Sequence, residues 1–352
     1  AQHTIELYRK MYLHKTTTLS QVPTRKVYLT DSEWIALVHR NLQGLTAKDL
    51  PYRAIGIKGQ AVFTMKDYEK LTENVNVTLP LHQQLTQMQT VLERTLKRRL
   101  NKFFMSEKAK AVYESMNAMQ IEVLMKDVET KSEAEYFQVL GQKVFEKEVL
   151  EVTQQVEMFA FVDIAYLVQQ WMPQAKTRRQ ELEKMDNAPI PLKKIEGSRL
   201  QVTAEGIRLL QYVATRVTPV RDYVGYSHLF IDEVQDVSLL WLGTLSNFYF
   251  RAKFTVVGDT YQSFSTSSTI FTLGARHPEL VELVFPNRTL TNRSLEISYR
   301  CTAQITRFAN GILKWPLDKN VFPRTGSEVT LYSDADGMQL TRLKGLLEES
   351  PQ

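Results

Sequence analysis

Residues 226–236, YSHLFIDEVQD, and residues 252–262, AKFTVVGDTYQ, carry the clearest indication of the fold. In each segment, a short apolar run of the kind buried in a parallel sheet is followed by acidic or amide side chains. A third apolar run, SLEISYR at residues 294–300, follows further along the chain. Because helical or loop segments separate the runs, the pattern predicts βαβ units whose strands all end at one edge of a parallel sheet.

An acidic pair, Asp232 and Glu233, comes directly after the first run. The carboxyl edge of a parallel sheet is where α/β proteins usually bind their ligands. In nucleotide hydrolysis, one carboxylate can hold Mg²⁺ while a second orients and deprotonates the attacking water. An acidic pair after a strand is also a common helix N-cap, so the pair alone leaves both interpretations open.

An amide and a guanidinium follow the other two runs. Gln262 can donate to a phosphate oxygen and accept from water, and Arg300 suits the charge that builds on a transferring phosphoryl group. The alternatives are a surface glutamine after a Gly-Asp turn and a surface salt bridge for the arginine. The order of acid pair, amide and arginine at successive strand ends favours a site for nucleotide hydrolysis.

The region between residues 81 and 172 contains almost no glycine or proline, which predicts an all-helical module. Its first helix carries one apolar stripe at helical spacing, formed by Leu85, Met88, Leu92, Leu96 and Leu100. Seven basic residues against two acidic ones lie between Leu92 and Lys110, which equals the net charge of +5 of the whole chain. This basic helix either attracts phosphate backbones or acidic protein surfaces, or is a solvated face.

Composition limits the class of protein. At 352 residues the chain is long enough for two or three domains, and 43% hydrophobic with 24% charged residues is ordinary globular usage. The single cysteine, Cys301, excludes an intrachain disulfide, and the six histidines are too scattered for a zinc site. No apolar stretch is long enough to span a membrane. We therefore expect a cytoplasmic protein that does not bind membranes.

These motifs resemble those of superfamily 1 helicases of the UvrD/Rep type. IDEVQD at 231–236 resembles their Walker B element, VVGDTYQS at 256–263 their motif III, and ISYRCTAQITRFANGIL at 297–313 their motif IV with the following helix. The stretch from Lys26 to Phe104 is similar to the helical insertion of the HelD-type helicase-like proteins. Those proteins bind bacterial RNA polymerase and release it from nucleic acid using ATP.

The resemblance implies a fold, a cofactor and a set of site residues. The fold is α/β, a partial RecA-like P-loop NTPase core with a large all-helical insertion, and the cofactors are ATP and Mg²⁺. Asp232 would hold Mg²⁺, Glu233 would activate water, Gln262 would sense the γ-phosphate, Arg300 would contact it, and Asp236, Asp259 and Tyr299 would support the nucleotide site. DNA or RNA polymerase would bind the basic helix through Arg94, Lys97, Arg98, Arg99 and Lys102.

The resemblance also predicts how the chain is divided. Residues 1–25 would lead in from a truncated first RecA-like domain, 26–195 would form the insertion, 196–290 the part with Walker B and motif III, and 291–352 motif IV and the start of a second RecA-like domain. No GxxxxGK[ST] phosphate-binding loop occurs. We therefore expect an internal fragment that is inactive alone, with the loop upstream of Ala1.

Three functions remain open at this point. The leading one is an ATP hydrolase of HelD type that remodels RNA polymerase complexes. The alternatives are a UvrD-like DNA repair helicase that needs no polymerase, and a protein-interaction module without enzymatic activity.

Overall fold

The structure of the protein, a computed structural model, describes most of the chain. The described residues are 17–19, 28–57, 60–104, 116–126, 128–130, 132–182, 190–194, 200–219, 225–259, 262, 270–271 and 278–331. They fall into two compact units, divided between Arg288 and Thr289. Most of the predicted lead-in at 1–25, residues 105–115 of the basic segment and the chain end at 332–352 lie outside the described residues.

The fold is mixed α/β with an excess of helix. In chain order its first elements are β1 (Thr17–Leu19), α1 (Asp31–Leu42), β2 (Ile55–Ile57), β3 (Gln60–Phe63), α2 (Met65–Glu73), α3 (Leu81–Phe104), α4 (Ala118–Met125), α5 (Glu133–Glu157) and α6 (Ile164–Glu181). They are followed by β4 (Leu192–Lys194), β5 (Leu200–Val202), α7 (Ala204–Val217), β6 (His228–Ile231), α8 (Leu239–Phe248), β7 (Lys253–Val256), α9 (Pro278–Val284) and α10 (Ala303–Ile312). None of the described helices is both long and apolar enough to cross a membrane.

The described strands form three small sheets. β5 lies between β1, to which it is parallel, and β4, to which it is antiparallel, while β2 and β3 form an antiparallel pair. β6 and β7 are parallel and are connected through α8. This last arrangement is the βαβ unit that the first two apolar runs predict.

The prediction of a third strand at residues 294–300 is wrong. Residues 294–297 adopt no strand, and Ser298 makes only an isolated bridge to Val321. The reason is the lack of a neighbouring strand: Leu295 is 97% exposed, so its apolar side chain is not packed in a sheet. An apolar run of this length is compatible with a strand but cannot specify the partner that a strand needs.

The predicted apolar stripe of α3 is confirmed. All five of its side chains are buried, and they pack against α5, whose buried residues also recur at helical spacing. At one end of this contact, the Gln89 side chain donates to the backbone oxygens of Val156 and Glu157 at 3.3 and 3.0 Å. The two long helices therefore form one packed pair.

Arg99 connects α3 to the segment before it. Its guanidinium donates to both carboxylate oxygens of Asp67, at 2.9 and 2.5 Å, and to the backbone oxygen of Val62 at 3.2 Å. It also lies over the ring of Phe63, 4.8 Å from the centroid. Burial favours a higher pKa for Asp67, but the hydrogen bonds from Arg99 and Thr64 outweigh it and lower that pKa. Arg99 thus stabilises the packing of α2 and β3 on α3.

Two carboxylates join the start of α1 to helices far along the chain. Glu205, in the first turn of α7, accepts from the backbone N–H groups of Tyr28 and Leu29 at 3.0 and 3.4 Å and from Trp34 Nε1 at 2.5 Å. Asp31 accepts from the Ser238 hydroxyl, 2.5 Å away, at the N-terminus of α8. Helices more than 170 positions apart in sequence are held together here by charged acceptors.

Burial raises the pKa of Glu205, against the opposing effect of the three N–H groups that donate to it. A carboxyl group removed from water ionises less readily, because the charged form loses its hydration. The folded chain therefore binds the Glu205 proton more tightly than the unfolded chain does.

We predict that Glu205→Gln makes stability less dependent on pH in the acid range. In the wild type, the free energy of unfolding should fall as pH rises from below the ordinary glutamate pKa, about 4.3, through the raised value. Urea unfolding at intervals from about pH 4 to about pH 7 measures this fall. The matched control is Glu282→Gln, in an exposed residue of α9, which should keep the wild-type pH dependence. Identical profiles for the wild type and Glu205→Gln would contradict the role of Glu205.

Candidate functional site

The candidate site lies where β6 and β7 end. The two strands pair from His228 with Lys253 to Ile231 with Val256, so both carboxyl ends are at the same edge. Backbone hydrogen bonds continue beyond the strands: Val257 donates to Ile231 at 2.9 Å and Val234 donates to Val257 at 3.0 Å. The turns that follow the two strands are therefore fixed against each other.

The acidic pair forms the first of these turns. Asp232 and Glu233 directly follow β6, and both are exposed. The N–H of Glu233 donates to Asp232 Oδ1 at 2.8 Å. Glu233 has a left-handed backbone, with φ of 50° and ψ of 40°, which costs on the order of 1–2 kcal/mol for a residue with a side chain. This conformation turns the chain sharply into the 3-10 turn Val234–Asp236.

Gln235 links the acidic turn to the turn after β7. Its side chain is only 4% exposed, and its Nε2 donates to Glu233 Oε2 at 2.6 Å. Its Oε1 accepts from the backbone N–H of Asp259 at 3.0 Å. Sequence reasoning did not select Gln235, although IDEVQD contains it, because a single glutamine in a polar turn carries no spacing signal.

Gly258 leaves room for this link. A Cβ atom at position 258 would lie 2.3 Å from Gln235 Oε1 and 3.0 Å from the backbone nitrogen of Val234. Both distances are shorter than an ordinary van der Waals contact. The glycine of the GD pair is thus required by the close approach of the Gln235 carboxamide.

Gln262 extends the chain of hydrogen bonds. Its Nε2 donates to Asp259 Oδ2 at 2.9 Å, and its side chain is exposed. Glu233, Gln235, Asp259 and Gln262 are therefore connected in series, the Asp259 link running through both its backbone and its side chain. Asp236 lies beside this series in the 3-10 turn, where its N–H donates to the Glu233 backbone oxygen at 3.1 Å.

Tyr299 and Arg300 belong to the second compact unit. The Tyr299 ring packs on Phe322 with centroids 5.0 Å apart. The Arg300 side chain is exposed, and its backbone oxygen accepts from the Arg324 guanidinium. The N–H of Ala303 donates to the Arg324 backbone oxygen at 2.7 Å. Arg324 therefore fixes the turn that presents Arg300, directly before α10.

The predicted basic residues of α3 differ in their surroundings. Arg99 is half-buried in its contact with Asp67, while the other four are exposed. These four, Arg94, Lys97, Arg98 and Lys102, are called the basic face below.

The described residues contain no group of three or more His, Cys, Asp or Glu side chains that could hold a metal ion. Magnesium needs few protein ligands when it also binds water and phosphate, and Asp232 is an exposed carboxylate at a strand end of the kind it uses. In comparisons with known proteins, no family model and no curated protein matches the chain.

We predict that Gly258→Ala destabilises the chain by about 1–3 kcal/mol, because the methyl group must displace the Gln235 carboxamide from the Asp259 N–H. The same substitution should cost less in the Gln235→Ala background, where the obstructing oxygen is gone. Urea unfolding of the wild type, both single variants and the double variant gives the coupling free energy. The control is Gly225→Ala, since no atom lies within 4 Å of a Cβ there. Additive effects would argue against the contact between positions 235 and 258.

Proposed function

We propose that this chain is part of an ATP-dependent superfamily 1 motor and that the edge formed by β6 and β7 is its hydrolysis site. The observation that carries the proposal is the hydrogen-bonded series from Glu233 through Gln235 and Asp259 to Gln262. It joins a carboxylate to an exposed amide at the ligand-binding edge of parallel strands. A simple helix N-cap would need only the acidic turn and no link to the neighbouring strand end.

Glu233 is proposed as the general base. Gln235 donates to Oε2 and orients the carboxylate, and among the described residues none donates to Oε1. Oε1 can therefore accept a proton from an attacking water. The left-handed backbone at Glu233 fixes the direction of this side chain at the turn.

Asp232 is proposed as the residue that holds Mg²⁺, directly or through water. When bound, the ion would neutralise charge on the β- and γ-phosphates. Asp232 accepts a hydrogen bond from the Glu233 N–H through Oδ1, which holds its carboxylate beside the base. This hydrogen bond holds Asp232, the proposed Mg²⁺ ligand, beside Glu233, the proposed general base.

Gln262 is proposed to report the presence of the γ-phosphate. Its amide contacts Asp259, whose N–H in turn holds the carboxamide that orients Glu233. A movement of Gln262 towards a phosphate oxygen would therefore change the hydrogen bonds of Asp259 and Gln235. For the second unit taken by itself, the resemblance of residues 297–313 to motif IV is the basis for proposing that Arg300 contacts a γ-phosphate and that Tyr299 supports nucleotide binding.

The wider assignment is a RecA-like core with a helical insertion. Parallel sheets are nearly always covered on both faces, yet Phe230 of β6 is 76% exposed and stacks on His228 with ring centroids 4.3 Å apart. This supports the proposal that β6 and β7 belong to a larger core. The packed pair α3 and α5 would then lie in the insertion, and the whole would act as a HelD-type factor on RNA polymerase and nucleic acid.

Glu233→Gln should lower ATP turnover by the natural polypeptide about 10²–10⁴-fold, because the isosteric amide cannot take a proton from water. Nucleotide affinity and thermal stability should stay near wild type, since the new side chain keeps an oxygen for the Gln235 amide. Phosphate release in the steady state measures turnover, and Glu282→Gln on exposed α9 is the matched control. Wild-type turnover in Glu233→Gln would remove Glu233 from the mechanism.

We also expect the 352-residue chain to form a complex with purified bacterial RNA polymerase at physiological salt. Size-exclusion chromatography of the mixture should show the chain eluting with the polymerase, and a polymerase-free run gives the reference position. If the chain elutes alone at every concentration tested, the HelD-type assignment fails and the repair-type helicase becomes the better proposal.

A further inference from the structure

The basic face lies on the side of α3 opposite the buried stripe. At 3.6 residues per turn, Arg94, Lys97, Arg98 and Lys102 fall within an arc of about 140° on the exposed side. Arg94, Arg98 and Lys102 follow one another at four-residue steps, so their Cα atoms rise by about 6 Å each along the helix. The face is thus a band of cations along one side of the helix rather than a charge spread around it.

Among the described residues, no acidic side chain forms an ion pair with these four cations. Glu93 is the sole acidic residue of α3, and it lies at the margin of the face, four residues before Lys97 and about 40° around the helix from it. A polyanion approaching this side would therefore meet four cations and, at the margin, one carboxylate.

The other exposed side chains of α3 indicate which kind of polyanion the basic face could bind. They include Gln83, Gln87 and Asn101, and among the side chains that the structure describes on this face the one large apolar residue is Val91, at 41% exposure. Protein interfaces have an apolar or aromatic centre, and single-stranded nucleic acid is usually bound by aromatic stacking. Neither feature is present among the described side chains of this face. What remains is attraction to the regularly spaced phosphates of a duplex backbone.

We infer that the basic face binds the phosphate backbone of double-stranded nucleic acid without reading its sequence. The inference deepens the proposed action on nucleic acid and in that respect rests on the proposed function, although the contact needs no nucleotide and involves none of the site residues. Arg99 is not part of the contact, since its guanidinium is bound to Asp67. The polymerase contact would then lie on another surface of the helical part.

The test is binding of a fluorescein-labelled 30-base-pair DNA of mixed sequence, about 100 Å long at the 3.4 Å rise per pair, by fluorescence anisotropy. If all four cations contact phosphates, the affinity of the wild-type chain should fall about 150-fold between 50 and 200 mM salt. The variant in which Arg94, Lys97, Arg98 and Lys102 are all replaced by Gln should bind more weakly. The slope of log affinity against log salt should be smaller in size by about 3.6.

The matched control removes the same charge from other exposed positions, with Lys48, Lys70, Lys143 and Lys176 replaced by Gln. It should keep most of the affinity and the salt slope, whereas a loss equal to that of the first variant would reduce the inference to a net-charge effect and overturn it. Wild-type binding by the first variant, or tighter binding of single strands than of duplex, would also overturn it.

Two further measurements separate this inference from the proposed function. Glu233→Gln should bind the duplex with wild-type affinity, and the natural polypeptide with the basic-face substitutions should hydrolyse ATP at the wild-type rate without DNA. Thermal unfolding of the basic-face variant should be unchanged, because the four side chains are exposed and Gln suits a helix. If the basic-face variant loses RNA polymerase binding but keeps duplex binding, the face is a protein contact and the inference is wrong.

Discussion

The start of α1 is the point on which the arrangement of the first unit depends. Asp31 and Glu205 are the acceptors there, and their donors come from segments about two hundred residues apart in sequence. Because Ser238, the N-cap of α8, follows the 3-10 turn Val234–Asp236 by two residues, its hydrogen bond to Asp31 fixes where the chain leaves the sheet edge. The geometry of the candidate site therefore depends partly on Asp31, which lies before the whole helical part in the sequence.

Joining α1 to α7 through a buried carboxylate carries a large desolvation penalty. Glu205 loses hydration on folding, and only N–H groups that would themselves be buried compensate for the loss. Hydrogen bonds are directional, so one carboxylate can accept from backbone and indole N–H groups only if the helices meet in a narrow range of positions. The contact therefore restricts how α1 packs against α7.

Local patterns were sufficient to predict the elements whose partners are near in sequence. The stripe from Leu85 to Leu100 and the strands β6 and β7 follow from apolar periodicity, and the structure has them where the patterns indicate. The run at 294–300 has the same composition but no adjacent strand, and periodicity contains no information on whether a partner exists. Arg99 was grouped with its basic neighbours for a related reason: sequence gives its charge, but its contact with Asp67 depends on how α2 packs.

The sequence predicted where several side chains of the candidate site lie, but not the hydrogen bonds that join them. Asp232, Glu233 and Gln262 stand at the strand ends that the sequence indicates, because residue types that bind phosphate and metal are recognisable alone. Gln235 is recognised only when both of its hydrogen bonds are known, since they join two turns that the sequence separates. A buried carboxamide that holds two backbones together has no periodic or compositional signal.

The close contact between Gln235 and Gly258 also restricts the routes by which this sequence can evolve. A smaller residue at position 235 opens the space that a side chain at position 258 would need, so loss of the glutamine can come first. The reverse order passes through a chain in which two groups occupy the same volume. A side chain at position 258 is therefore expected to be tolerated more readily after Gln235 has been replaced than before it.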